Sequence, residues 1–217
     1  TPVTYRYGIL LDTVVFKYFE ICGNLIKSGA SPGGGGEYAM YSNSAASYPS
    51  YGTISGNTCV GVCTFKFLTF VTISGNNFLG GFGADAGLYT VVITGNFLGR
   101  CVMRPGTAGI DSVTMSGNYM SDLELYTTNT YPASNFTFSS NTVLQYAYCG
   151  NGVKNSTFTG NAILGAAGSY YLSFGDNASG DNDKLVVTGN YIVGALTWAD
   201  VTSTDCVIMG NYVGGTQ

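Results

Sequence analysis

The chain has 217 residues, 45% of them apolar and 9% charged, with 32 Gly, 17 Tyr and a net charge of −4. That apolar content excludes intrinsic disorder, and the length suits one domain or one repeat array. Eight basic residues in an acidic chain exclude a phosphate-binding patch and hence a nucleic-acid partner, and the absence of histidine excludes a Ser–His–Asp triad, a Cys–His pair and the usual zinc sites.

The chain opens on "TPVTYRYGILLDTVVF", which lacks the basic flank and small-residue cleavage site of a signal peptide. It begins with Thr rather than Met, which reads as a processed or excised end. Residues 1–13 are expected to form an N-terminal cap or an anchor to another protein. No run approaches the roughly 18–20 apolar residues of a membrane-spanning helix.

From residue 24 onward one phrase returns. ISGN at 54–57, ISGN again at 73–76, ITGN at 93–96, MSGN at 115–118, FTGN at 158–161 and VTGN at 187–190 share it. Aligned on the final Asn, the repeats fall at Asn24, Asn57, Asn76, Asn96, Asn118, Asn141, Asn161, Asn190 and Asn211. Successive gaps are 33, 19, 20, 22, 23, 20, 29 and 21 residues. The two long gaps hold turn-rich stretches, 28–50 and 168–184, expected to be loop insertions. A period near twenty residues is the signature of a solenoid.

Strand character follows from alternation. Three residues before each Asn stand Ile21, Ile54, Ile73, Ile93, Met115, Phe138, Phe158, Val187 and Ile208. Two residues after it stand Ile26, Cys59, Phe78, Leu98, Met120, Val143, Ile163, Ile192 and Val213. Thr and Ser occupy the positions between the inward ones, as at Thr72 and Ser74, so each coil carries a strand with an apolar inner face and a hydroxyl outer face. A Gly-Asn turn follows, and a second strand begins. Nine coils would stack to a length of roughly 43 Å. Asn57, Asn76, Asn96, Asn118, Asn141, Asn161, Asn190 and Asn211 are expected to form a structural ladder, each amide bonding the coils on either side.

The recurring V-x-I-x-x-N-x-I/F phrase resembles the coil motif of the pectin-lyase-like superfamily over about residues 14–215. The resemblance implies an all-β, single-stranded right-handed parallel β-helix of about nine coils with two inserted loops, forming one domain over 1–217. That superfamily includes polysaccharide lyases, glycosidases, epimerases, bacteriophage tailspikes and virion surface proteins. Tailspikes and decoration proteins of this kind are typically coaxial homotrimers, so the resemblance implies a homotrimer contacting other virion proteins of the capsid or tail. A host surface polysaccharide is the further partner it implies, and the virion surface, outside the cell, the location.

Candidate sites are few. Polysaccharide cleavage needs paired carboxylates, and Asp122 and Glu124 in "SDLELY" share a face if that segment is extended. Arg100 and Asp122 each lie four residues after a ladder Asn, which predicts a salt bridge between adjacent coils. Asp176, Asp181 and Asp183 crowd the second insertion; Gly, Asn and Asp are ordinary turn residues, and the string matches no EF-hand. Neither a metal nor a cofactor is expected. Cys22, Cys59, Cys63, Cys101, Cys149 and Cys206 form no CxxC pair and read as buried free thiols. Asn135, Asn155 and Asn177 head glycosylation sequons, which matter only in a secretory pathway.

Outward aromatic residues point to contact. Phe97, Tyr119, Tyr191 and Tyr212 each follow a ladder Asn and offer two exposed pairs on successive coils, suited to a subunit interface or to carbohydrate stacking. Tyr38, Tyr41, Tyr48, Tyr51, Tyr170 and Tyr171 add to that surface. The chain stops at "GNYVGGTQ" with no recognisable cap, which predicts further chain or a partner at that end. Three functions follow as expectations. The first is a non-catalytic structural or adhesive protein of a virus particle, either a capsid decoration protein or a tailspike shaft. The second is a polysaccharide lyase or glycoside hydrolase using Asp122 and Glu124. The third is an ice-binding solenoid, against which stand the irregular coil lengths and the Val residues at 92, 186 and 207 in the Thr column.

Overall fold

Every repeat places a large apolar residue three positions before its Asn, and these residues pair one to one along the whole stack. Ile21 lies opposite Ile54, Ile54 opposite Ile73, Ile73 opposite Ile93, Ile93 opposite Met115, and the series runs on through Phe138, Phe158 and Val187 to Ile208. In the computed structural model this register builds a parallel β-solenoid. The structure describes residues 6–12, 18–27, 37–43, 50–106, 108–128, 130–165, 172–175, 182–198 and 204–214. Among them are 27 strands in two sheets of 16 and 11, all paired in parallel, and no helix. No helix long and apolar enough to cross a membrane is present among the described residues.

Each coil turns through three walls. The first holds the strand before the Asn and stacks nine strands, from Phe19–Cys22 to Val207–Met209. Counted as turns the solenoid makes about seven, slightly fewer than the expected nine. The second wall follows the Asn, from Leu25–Lys27 to Tyr212–Val213. The third carries Arg6–Asp12, Glu37–Asn43, Val62–Phe65, Phe82–Ala84, Ala147–Cys149, Leu172–Phe174 and Leu196–Trp198. Two long strands, Phe97–Met103 and Tyr119–Leu125, run through the second and third walls without a break, which joins them into one sheet.

The third wall departs from the sequence reading. Part of each expected loop insertion is a wall strand: Glu37–Asn43 lies within 28–50 and Leu172–Phe174 within 168–184. Residues 28–36, 44–49, 168–171 and 176–181 lie outside the described residues, and with them Tyr48, Tyr170, Tyr171, Asp176, Asn177 and Asp181. Residues 1–5 and 13 of the expected cap lie outside them too, while Arg6–Asp12 pairs in parallel with Glu37–Asn43 as a wall strand.

The inner faces of the walls form one continuous core from Leu11 to Ile192. Its aromatic part runs through Phe136, Phe138, Phe158, Phe174 and Trp198, with neighbouring centroids 4.9–6.4 Å apart. Cys59, Cys63, Cys101 and Cys149 are buried free thiols within it, whereas Cys22 is exposed and Cys206 half-buried. The turn into each Asn uses a left-handed residue: Gly56, Gly75, Gly95 and Gly117 have φ of 61–62°, a conformation that costs glycine little. Ser140 takes the same place with φ of 54°.

The Asn residues form an unbroken ladder from Asn24 to Asn211. Each Oδ1 accepts from both the backbone amide and the Nδ2 of the Asn one coil earlier, as between Asn76 and Asn96 at 2.9 Å for both bonds. From Asn57 onward each Nδ2 also reaches back to a carbonyl of the preceding coil, as from Asn96 to Ile73 O at 2.9 Å. From Asn57 to Asn190 the ladder is buried, so these bonds satisfy groups that water cannot reach.

Candidate functional site

The outer face of the two long strands, Phe97–Met103 and Tyr119–Leu125, carries three charged residues, Arg100, Asp122 and Glu124. Alternation along Phe97–Met103 and Tyr119–Leu125 sends Cys101, Met103, Leu123 and Leu125 into the core and leaves Arg100, Val102, Asp122 and Glu124 on the outer face. Arg100 is the register partner of Asp122, as the spacing predicted. Its salt bridge goes elsewhere. Arg100 Nη2 bonds Glu124 Oε1 at 2.5 Å and Oε2 at 2.7 Å. The long guanidinium leans two residues along the neighbouring strand, where Glu124 offers both oxygens.

The two carboxyl groups therefore sit in opposed environments. Burial disfavours an ionised Glu124, but hydrogen bonds from Tyr146, Arg100 and Tyr126, together with the Arg100 charge, outweigh it and hold the carboxyl below its usual range. Burial and Glu124 in turn push the Tyr146 hydroxyl up to about 12. Burial dominates at Asp122; the Ser121 hydroxyl and Arg100 charge oppose it, Glu124 adds to it, and the carboxyl lies above its usual range. Asp122 is only 8% exposed, and its Oδ1 has no hydrogen-bond partner.

One coil away lies a notch of about 430 Å³ lined by Tyr38, Val62, Thr64, Phe82, Asp85, Arg100, Val102 and Arg104 around Gly80, Gly81 and Gly83. Phe82 and Ala84 point into the core, so Gly83 between them faces outward and leaves the wall without a side chain. Arg104 approaches Asp85 to 3.7 Å and lies over the Tyr126 ring at 5.3 Å. Among the described residues no group of three or more His, Cys, Asp or Glu side chains is placed to hold a metal ion.

No protein-family model matches the chain, and neither a curated protein nor a solved structure matches it.

The aromatic residues that follow the ladder Asn are exposed and stacked at the coil pitch. Phe97 and Tyr119 have centroids 5.5 Å apart with planes at 19°, and Tyr191 and Tyr212 lie 5.0 Å apart at 3°. All four are 41–59% exposed, so stacking covers only part of each ring. A third column was not read from the sequence: Tyr18, Tyr51 and Phe70 stack at 5.6 and 5.0 Å, on the corner six residues before the Asn. They flank a shallow trough of about 560 Å³ with Glu20, Thr53 and Thr72 on its other side. That corner is left-handed in successive coils, at Tyr51, Phe70, Thr90, Ser112, Asn135, Asn155, Lys184 and Asp205, with φ of 48–61°. The sequence conceals it because these side chains share no chemistry. Asn135 and Asn155, the two described sequon residues, are exposed at this corner on adjacent coils.

Proposed function

We propose that the chain is a non-catalytic, adhesive β-helix of a virus-particle surface, a capsid decoration protein or a tailspike shaft, that acts as a homotrimer and contacts other virion proteins or a host surface polysaccharide. The observation that carries this reading is the set of three exposed aromatic stacks, held in register by the paired walls on a charge-poor surface. Exposed rings of this size are unfavourable in water and become favourable when a partner covers them. A ring fixed by its neighbour also loses little side-chain freedom on binding, which suits a contact surface. The resemblance of the repeat to tailspike and decoration β-helices supplies the particle, the trimer and the extracellular location.

Light scattering on the native protein tests the assembly. A mass near three times 22.7 kDa supports the reading, and Tyr191→Asp combined with Tyr212→Asp should shift it toward the single chain. A clean monomer from the unmodified protein removes the trimer, and an unchanged mass in the double variant removes this column as the interface.

A second reading, a polysaccharide lyase or glycoside hydrolase, is favoured by one observation: Asp122 is pushed toward the protonated form while Glu124 is held ionised. Neighbouring carboxyls separated in this way can divide the acid and base roles of glycoside cleavage. Polysaccharide cleavage that survives both Asp122→Asn and Glu124→Gln would sink it.

A further inference from the structure

Two of the four core thiols share one corner. Cys59 faces inward from Thr58–Val60 in the second wall, and Cys63 faces inward from Val62–Phe65 in the third wall of the same coil. Between them the chain bends through Val60, Gly61 and Val62, with both valines turned to solvent and Gly61 at φ of 140°. The next coil shows how close this bend brings its inner side chains. Phe78 is the register partner of Cys59 and Phe82 that of Cys63, and those two rings pack with centroids 6.0 Å apart. Two thiols in the same places meet directly: the Cys63 S–H donates to the Cys59 sulfur.

The other cysteines are placed differently. Cys101 stands in register between Phe82 and Leu123, and Cys149 between Leu125 and Phe174. Cys22 bonds Glu20 and Ser55 at the surface, and Cys206 bonds the Leu185 amide. The shared proton also divides the pair at the corner. It holds the Cys59 thiol below its ordinary value against the cost of burial, while the same bond and burial push Cys63 up. Cys59 is the better nucleophile, and Cys63 is placed as the thiol that resolves its first oxidation product.

We infer that Cys59 and Cys63 are a peroxide-oxidisable pair that closes to a reversible disulfide, stapling the second wall to the third at this corner. The Cys59 sulfur attacks one oxygen of hydrogen peroxide, the O–O bond breaks, and one water leaves with Cys59 as a sulfenic acid. The Cys63 sulfur then attacks the Cys59 sulfur, the S–O bond breaks, and the Cys63 proton leaves with the hydroxyl as a second water. Two thiols and one peroxide thus give one disulfide and two waters, the sulfurs supplying both electrons. Both thiols are fully buried, so the oxidant has to be near the size of water. The bond closes a loop of five residues, which removes conformations from the unfolded chain. This inference stands apart from the adhesive reading, and failure of either leaves the other in place.

Peptide mapping tests it. The native protein is treated with hydrogen peroxide, quenched, unfolded, alkylated with iodoacetamide and cut with trypsin. Residues 28–66 form one tryptic peptide, and Cys59 and Cys63 are its only cysteines. That peptide should be lighter by two hydrogens and carry no alkyl group, and dithiothreitol before alkylation should restore both sites. Cys101 and Cys149 should remain alkylated throughout. The thermal midpoint should rise by a few degrees on oxidation and return with dithiothreitol. Cys63→Ala should show no such rise; the map of the unmodified protein decides the bond whether or not this variant folds. Four results overturn the assignment: both thiols still alkylated at a dose that oxidises the exposed Cys22, a cross-link from either to another cysteine, sulfinic acid at Cys59 without a bond to Cys63, or a midpoint that falls on oxidation.

Discussion

Asn118 and Asn141, on adjacent coils, are joined through one oxygen: Asn141 Oδ1 accepts from the Asn118 backbone amide at 2.9 Å and from its Nδ2 at 3.0 Å. The same Nδ2 donates to Ile93 O at 2.8 Å, so one side chain ties three coils together. Removing it in Asn118→Ala strands a buried carbonyl and the Asn96 donors that used its Oδ1. The expected loss is about 1–3 kcal/mol in urea denaturation, with the fold retained. Asn118→Asp should cost more, because it replaces the donor facing Ile93 O with an acceptor. Asn211→Ala, at a half-exposed rung, should cost less than either.

Ser140 holds the turn position that glycine holds in the neighbouring coils, with φ of 54°. A residue bearing a Cβ is strained there by about 1–2 kcal/mol, whereas glycine is not. Glycine's greater freedom in the unfolded chain offsets part of the relief. Ser140→Gly should therefore stabilise the protein by about 0.5–1 kcal/mol, read as a higher urea midpoint at unchanged slope.

The sequence discloses these features unevenly. The ladder was legible because its Asn residues recur with their flanking apolar residues at a nearly fixed interval, and burial on both sides enforces that chemistry in every coil. The left-handed corner was not: Phe70, Thr90, Ser112 and Asn135 occupy one structural position with four different side chains. Glu37–Asn43 hid inside a Gly- and Ser-rich stretch, since a wall strand needs backbone pairing more than a recognisable pattern. The register of Arg100 with Asp122 was predictable from spacing, but not the partner, because a flexible guanidinium chooses among carboxylates within its reach. The notch was illegible because it is made by the absence of a side chain at Gly83.

Asp122 and Glu124 should pull the pH dependence of stability in opposite directions. Glu124's pKa is depressed in the folded chain, so its contribution is present above the unfolded carboxyl value of about 4.3 and is lost as pH falls through the folded value. Asp122's is raised, so the folded chain holds that proton longer and stability falls as pH rises from about 3.9 through the folded value. Asp122→Asn should thus be more stable than the unmodified protein near neutrality, with the gain fading toward pH 3. Glu124→Gln should lose about 1–2 kcal/mol near neutrality, less than a fully buried pair would, because Arg100 is 54% exposed. Urea midpoints from pH 3 to 8 for the three proteins read both signs; parallel profiles would show that neither carboxyl is shifted by folding.

Phe70 separates stability from contact. Its backbone is left-handed, with φ of 53°, which a bulky residue tolerates poorly and Asn tolerates well. Its ring stacks on Tyr51 at 5.0 Å with planes at 7°, a contact worth about 0.5–1.5 kcal/mol. In Phe70→Asn the relief of backbone strain and the loss of stacking are of similar size, so the urea midpoint should barely move. Asn135 and Asn155 at the same corner show that the fold accepts this residue. If the column exists to meet a partner, Phe70→Asn should reduce assembly or adhesion while leaving stability within about 0.5 kcal/mol. A loss of well over 1 kcal/mol with assembly unchanged would instead make the ring a staple of the solenoid, and the contact surface would then have to be sought on the Phe97–Tyr119 and Tyr191–Tyr212 pairs.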